Sequence, residues 1–486
     1  MTLDQAKLGQ TVTVLRVRGE GALRRRLLDM GVLRGTEITV EGTAPLGDPM
    51  ELSLRSYTLT LRRADAALVE VAPACPRTPH PRHTATRTLD KLLLHPVLAL
   101  PLFASVMLGM FWFSISLVGH WTQALGEALG GTSLLGGPGG KALLDWWLAG
   151  QGCPLWFRDF LLDGLLAGVG TVLGFLPQLT ALFFCLSFLE GCGYLSRGAY
   201  LLDRAVRRFG LSGSSVVPYI LACGCAVPGA LACRTIQRHG CRCLTVFTAA
   251  FLPCAAKLPV IALVAQLAFP GGWWLAPAAY GVGLTAALFS SWLLSGSKRF
   301  PKEDIPFLLE LPDYRLPPSS ALWGRTWERL GEFLKKAGTL LVLSSAAVWW
   351  ASSFGWTGTG FAYLSSGALD HSLLAALGSA LAPLFSLAGW GDWRAVVACL
   401  TGLLAKESIV GTLAILGCPA ALYTPAAALS FLLFNLLCPP CLAALAARFQ
   451  ELGQGRLFLF TLVYQTAFAL LVSIGLYQGA CLLGLP

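Results

Sequence analysis

The sequence predicts a polytopic α-helical membrane protein with inverted repeats and re-entrant hairpins, preceded by a small β-barrel domain. Three observations carry this. Only 13% of the 486 residues are charged and 55% are hydrophobic, whereas soluble chains carry about a quarter charged residues. Several apolar runs reach the ~20 residues that cross a bilayer. Pro, Gly and Cys interrupt those runs at matching places in the two halves of the chain.

Residues 1–73 read as a separate soluble unit. Thr11 to Leu15, Glu37 to Val40 and Tyr57 to Leu61 alternate apolar and polar residues and favour strands. Arg24 to Met30 reads as a short helix closed by Gly31, and Pro45 to Pro49 as a turn. Residues 74–89 form a linker rich in Pro, Thr and Arg. Cys75, His80 and His83 in it are metal-ligand types, but a solvated linker is the simpler reading. The N-terminus is soluble and mixed in charge, so no cleavable signal is expected.

A first span is expected at 94–118 and a second at 162–190, separated by a Gly- and Trp-rich stretch of interfacial character. Arg197 to Arg208 is basic and amphipathic, suited to lying on the cytoplasmic surface. Residues 214–233 are apolar, yet Arg204, Arg207 and Arg208 precede them and Arg234, Arg238 and Arg242 follow. A full crossing would put one basic flank outside, so a re-entrant hairpin with its tip near Gly224 to Gly229 is predicted. Spans at 244–268 and 272–295 complete a first repeat over 90–296. A basic cytoplasmic loop, 297–336, leads to the second repeat, 337–486, with spans at 337–353 and 458–482. In that repeat Arg394 to Leu416 parallels the hairpin, and Pro439-Pro440-Cys441 parallels Leu252-Pro253-Cys254. Inverted repeats with interrupted helices are a transporter signature, the site lying where they meet.

The interruptions supply the candidate site. Pro228 removes a backbone donor, and Gly224 and Gly229 permit unusual dihedrals. Broken backbone at membrane depth is tolerated only where protein or water covers it. Cys225, Cys254 and Cys441 each stand beside a Pro or Gly that frees backbone carbonyls. Ionisable residues in apolar segments are functional candidates by default, which brings in Glu190, Lys406 and Glu407. The metal-ligand set is therefore Cys225, Cys254, Cys441, Glu190 and Glu407, with Gly224, Pro228, Gly229, Lys406 and Ser408 as gating or pathway residues. Packing explains a cysteine, and charge neutralisation a Lys406–Glu407 pair, without any ion. Most of the 15 cysteines lie in apolar segments, where cysteine packs as a small hydrophobe. The formal net charge of +10 resides in loops between apolar runs, so no nucleic-acid partner is implied.

The N-terminal unit resembles the ferrous iron transport protein A family, an SH3-like module. The match rests on Gly9, Arg26-Leu27-Leu28-Asp29-Met30-Gly31, Gly35, Ala44 to Pro49 and Leu61 to Ala67. From about Asp90 onward the chain resembles the membrane domain of the ferrous iron transport protein B family, with its paired gate regions. The matching pieces are Phe175-Leu176-Pro177-Gln178, Leu189-Glu190, Gly193-Tyr194, Gly224-Cys225, Val227-Pro228, Cys254, Leu258-Pro259-Val260, Glu310 to Pro317, Ala405-Lys406-Glu407, Gly411-Thr412 and Pro440-Cys441. Three positions depart from the family pattern: Ala226 replaces Asn, Ala255 replaces Ser, and Gly191 replaces an acid. Each loss removes an oxygen ligand or donor. The family's GTP-binding domain has no counterpart, because no GxxxxGK[S/T] loop exists; Gly136 to Ala142 only approaches that form.

The resemblance implies a gate-type ferrous iron permease, not itself an enzyme, with Fe²⁺ as the transported ion and no nucleotide site. It implies a bacterial cytoplasmic (inner) membrane location, multi-pass, with the N-terminus cytoplasmic. The lipid membrane, a separate GTPase subunit and a second copy of the chain are the expected partners. The alternative is a gate-family nucleoside carrier or a non-transporting membrane regulator. A nucleoside site needs hydrogen-bonding side chains, and Ala226 and Ala255 are poor for that.

Overall fold

The computed structural model describes residues 1–73 except 19–23, 25–26, 28–29, 31, 45–46 and 55–56. It further describes residues 90–484 except 91–92, 94, 96–97, 120, 122–144, 237, 270, 298, 301–308, 312–313, 336–338, 358–359, 365–371 and 407. The linker and most of the expected 24–30 helix lie outside the described residues.

The N-terminal unit holds β1 (Thr11–Val17), β2 (Glu37–Thr43), β3 (Met50–Leu54), β4 (Tyr57–Leu61), the short helix α1 (Arg63–Ala66) and β5 (Val69–Pro73). The alternation seen in the sequence is the burial pattern: Val12 and Val14 point into a core with Ile38, Val40, Leu52, Leu54, Leu59 and Val71. A register shift between Val14 and Arg16 leaves Leu15 exposed, because the extra residue of a bulge re-aims side chains. The sheet order is β5-β1-β2-β3-β4-β6, and its sixth strand comes from the membrane part. That strand, β6 (Leu309–Leu311), pairs antiparallel with β4 through Thr58↔Leu311, Leu59↔Glu310 and Thr60↔Leu309.

The helical part begins with α2 (Ala99–Phe111), which continues into a wider turn over Trp112–Val118. Next come α3 (Leu155–Asp159) and α4 (Ala167–Gly191), joined by another wide stretch at Phe160–Leu166. At Gly193 the chain takes φ 81°, a left-handed conformation open to glycine. Helix α5 (Tyr194–Arg207) then leaves at 78° to the end of α4. The sequence predicts α5 as a surface helix. Instead Tyr194, Leu195, Arg197, Gly198, Ala199, Tyr200, Leu201 and Asp203 are buried, because the barrel covers one side and α2 the other. Its polar groups are the docking contacts. Arg62 of the barrel meets Asp203 through Nε at 3.3 Å and an η nitrogen at 2.9 Å. Arg207 bridges Asp48 of the barrel, 2.7 Å, and Asp203, 2.8 Å. The Tyr200 hydroxyl donates to the Pro49 carbonyl at 3.3 Å.

Two helix–break–helix units follow, one in each half. The first is α6 (Val216–Gly224) and α7 (Ala226–Ala232), then α8 (His239–Thr248), a break, α9 (Leu258–Ala268) and α10 (Leu275–Leu294). The connecting stretch 297–336, predicted as a loop, instead folds as β6 and α11 (Ser319–Phe333). Leu322, Thr326, Leu330 and Phe333 recur at helical spacing and are buried, and the helix packs on α4. The second half runs α12 (Thr339–Ser353), a hairpin of β7 (Phe354–Thr357) and β8 (Gly360–Tyr363), α13 (Leu373–Ser386), α14 (Trp393–Leu404), α15 (Ser408–Leu416), α16 (Pro425–Leu437), α17 (Leu442–Leu452) and α18 (Gly455–Leu482).

Among the described residues, four stretches are long and apolar enough to cross a membrane: His239–Ala268, Leu275–Leu294, Pro425–Leu452 and Gly455–Leu482. The bent pair of α4 and α5 makes a fifth if counted as one. The expected spans at 94–118 and 337–353 are represented by shorter helices, Ala99–Ser114 and Thr339–Ser353.

Candidate functional site

Each break places a residue in extended backbone between two helices. Cys225, between α6 and α7, has φ −153° and ψ 132°. Ala405, at the matching point between α14 and α15, has φ −143° and ψ 125°. The two halves therefore use one local solution, although their side chains differ. Pro228 falls in the first turn of α7, where a missing N–H costs little, so the interruption lies at Cys225 itself. The second pair of breaks follows proline: Pro253 precedes Cys254, at φ −92° and ψ 167°, and Pro440 precedes Cys441, at φ −58° and ψ 160°.

The helices leaving these breaks bring the halves together. Helix α7 packs against α17, so the segments following Cys225 and Cys441 lie side by side, and both cysteines pack on one apolar cluster with Leu182 and Ala444. Beyond them Arg234 pairs with Glu451 at 2.5 Å. Helix α9 packs against α16 and α15. There Lys257, 3% exposed, donates to the Leu436 carbonyl at 2.6 Å. Lys406, 2% exposed, reaches the Cys438 sulfur at 3.0 Å. Both lysines, with Asn435 and Ile409, line one narrow gap. Cys254, Cys438 and Cys441 all lie near the Lys257 side chain, and Cys223 near Cys254.

Of the predicted site residues, Cys225 and Cys441 thus share one apolar cluster, and Cys254, Cys441 and Lys406 lie around Lys257, with Gly224 and Gly229 on either side of the break at Cys225 and Ser408 opening α15. Glu190 is elsewhere: it lies at the end of α4, partly exposed, and pairs with Arg329. Glu407 lies outside the described residues. Among the described residues no three His, Cys, Asp or Glu side chains stand close enough to hold a metal together. The carbonyls at the three cysteines accept backbone hydrogen bonds from the turns that follow them: Gly229 N to Cys225 at 3.3 Å, Lys257 N to Cys254 at 2.9 Å and Leu445 N to Cys441 at 3.0 Å.

The sequence reading missed Cys438, Asn435, Gln465 and Arg448. Asn435 donates to the Phe431 carbonyl at 2.9 Å and contacts the Cys399 sulfur. Gln465 accepts from Arg448 at 2.7 Å and turns its amide toward the Cys438 carbonyl. A polar residue inside an apolar run was the available signal for Asn435, Gln465 and Arg448; Cys438 carried no such signal.

Interrupted apolar helices in two repeated sets, capped by a small sheet domain, define a helical membrane protein of gate architecture. Residues 1–73 match the FeoA domain. Residues 172–268 and 334–455 match the Gate family, described as nucleoside recognition. Residues 276–329 match the ferrous iron transport protein B C terminus. The chain belongs to the Feo ferrous iron transport proteins, as a FeoA domain joined to a FeoB-type membrane part.

It is 34% identical over 402 residues to a protein of Staphylococcus aureus named Fe(2+) transporter FeoB, covering 80% of this chain and 58% of that one. A Methanocaldococcus jannaschii protein of the same name is 38% identical over 337 residues, covering 65% of this chain and 49% of the other. The chain thus spans about half the length of the curated relatives it matches. A solved FeoA-like protein from Clostridium acetobutylicum shares 38% identity over 17% of this chain and 94% of its own, with a TM-score of 0.15.

Proposed function

We propose that this chain is a permease for ferrous iron in a bacterial cytoplasmic membrane, with the N-terminal barrel as a cytoplasmic regulatory domain. The observation that supports the reading is that Cys225, Cys254 and Cys441 each stand at a helix break, and that the segments after Cys225 and Cys441 pack together across the two halves. Fe²⁺ is a borderline cation that accepts thiolate, imidazole and carboxylate ligands. The relatives' name, Fe(2+) transporter FeoB, supports the choice of ion. These 486 residues contain no phosphate loop of the form GxxxxGK[S/T]. A nucleoside reading is weaker, because a nucleoside site needs side chains that hydrogen-bond base and ribose, and Ala226 and Ala255 beside the breaks supply none.

The halves are read as inverted repeats with re-entrant hairpins at α6–α7 and α14–α15. In support, the chain enters the first hairpin beside the barrel, at Arg207, and leaves it at Arg238, within electrostatic reach of Arg62 and Asp65 of the barrel. Cysteines substituted at Arg208 and Arg238 are expected to resist an impermeant thiol reagent added to intact cells, equally at both sites. Labelling of either from outside overturns the hairpin.

Uptake of ⁵⁵Fe²⁺ by proteoliposomes under anaerobic conditions tests the function. The expected result is saturable uptake by the full chain, unaffected by nucleosides. Uptake no greater than in empty liposomes, with and without candidate GTPases, rejects the permease reading.

A further inference from the structure

We propose that Asp203 is a positioning residue that couples the seating of the barrel to the interrupted helix carrying Cys225. The proposal rests on the permease reading for its consequence, but not for its geometry. Asp203 is fully buried at the last turns of α5. Its Oδ1 accepts two hydrogen bonds at once: from the Arg62 guanidinium of the barrel, 2.9 Å, and from the backbone N–H of Gly213, 2.7 Å. Its Oδ2 takes the Arg62 Nε, 3.3 Å, and Arg207, 2.8 Å.

Gly213 opens the single turn Gly213–Ser215 that runs directly into α6. The first N–H groups of a helix lack internal partners, and a carboxylate there also meets the favourable end of the helix dipole. One oxygen atom therefore ties the barrel to the start of the helix that ends at Gly224, next to Cys225. Nine helical residues form a rod of about 13 Å at 1.5 Å each.

The rod is fixed to its neighbour as well. Ser215 and Thr245 share a hydrogen bond at 2.9 Å, and Tyr219 and Thr248 one at 2.6 Å. Those partners lie on α8, which leads to the break at Cys254. A shift at Gly213 is thus passed toward both breaks of the first half.

The charges alternate around the contact. The barrel brings Arg62 and Asp48, and the membrane part brings Asp203 and Arg207. Lifting the barrel removes Arg62 and leaves Arg207 as the charged partner of Asp203. The carboxylate then turns toward Arg207, and the hold on Gly213 loosens. In the seated state the helix is held and the path is closed; unseating releases it.

The test is hydrogen–deuterium exchange and ⁵⁵Fe²⁺ flux on the full chain in nanodiscs and proteoliposomes, with no nucleotide present. In Arg62→Gln, exchange over 213–225 is expected to rise roughly tenfold through local opening. Protection over 57–61 should persist, because β6 still pairs with β4. Basal flux is expected to rise roughly fivefold or more, the low end of typical coupling between sites. Arg62→Lys, which keeps the charge, should fall between wild type and Arg62→Gln.

Unchanged exchange over 213–225, with 57–61 still protected, overturns the coupling. Raised exchange with unchanged flux upholds the coupling and instead rejects Cys225 as part of the path. If Arg62→Gln loses protection over 57–61, Asp203→Asn decides, since it alters the same contact from outside the barrel and carries the same expectation.

Discussion

Replacing both Cys225 and Cys254 with alanine is expected to lower ferrous iron uptake by roughly 10–100-fold, the scale on which metal-site groups act. Both thiols are half-buried, both stand in extended backbone, and neither is needed to continue a helix. Alanine fits the space and the dihedrals, so the cost to folding should stay near ~1 kcal/mol each, the usual size for such changes. A large loss of uptake with a nearly unchanged melting temperature would separate a pathway role from packing. Cys481→Ala is the control: that residue is exposed near the end of α18, and its loss should be silent. Uptake within twofold of wild type in the double variant, by the same anaerobic assay, would reduce both thiols to packing residues.

Gly229→Ala is expected to be the most damaging single methyl group in the pair α6–α7. A Cβ there would stand 2.8 Å from the Ala222 Cβ and 2.9 Å from its Cα and N. Two of those three atoms are backbone, so no side chain can swing away, and α6 and α7 must part. Overpacking of this kind costs about 1–3 kcal/mol. The displacement occurs within one turn of Cys225, whose carbonyl accepts the Gly229 N–H at 3.3 Å. Gly411 holds the corresponding place in the second half, yet a Cβ there meets nothing within 4 Å. Gly411→Ala should be neutral or stabilising by up to ~1 kcal/mol, since alanine outranks glycine inside a helix. Melting temperature and uptake measured on both variants check the contrast. Equal effects would mean that the close packing of α6 on α7 does not constrain the break at Cys225.

The parts legible in the sequence were those with local causes. Alternating residues marked β1, β2 and β4, and Gly224 with Pro253 and Pro440 marked the helix breaks. What escaped depends on distant partners. Leu309–Leu311 carries no strand signal of its own; it is a strand because β4 offers an unpaired edge. Arg62 and Asp203 stand 141 positions apart, and nothing in either local pattern calls for the other. The amphipathic stretch at α5 was correctly seen as one, but its polar face turned out to serve the barrel rather than water. Glu190 was flagged because it closes an apolar run, yet that run ends where Arg329 can reach it. Lys406 was flagged with Glu407 as its partner, while the atom 3.0 Å from its nitrogen is the sulfur of Cys438.

The pairing of β4 with a strand encoded far downstream also constrains how the protein is made. The barrel leaves the ribosome first, with the β4 edge unpaired. About 250 residues must follow before Leu309–Leu311 emerges, roughly 10–50 s at ordinary synthesis rates. During that interval the nascent chain exposes an open strand edge, the kind of template on which neighbouring chains pair. Insertion of the first half into the bilayer must therefore proceed with the barrel unfinished, and the membrane part closes the sheet that was begun before it existed.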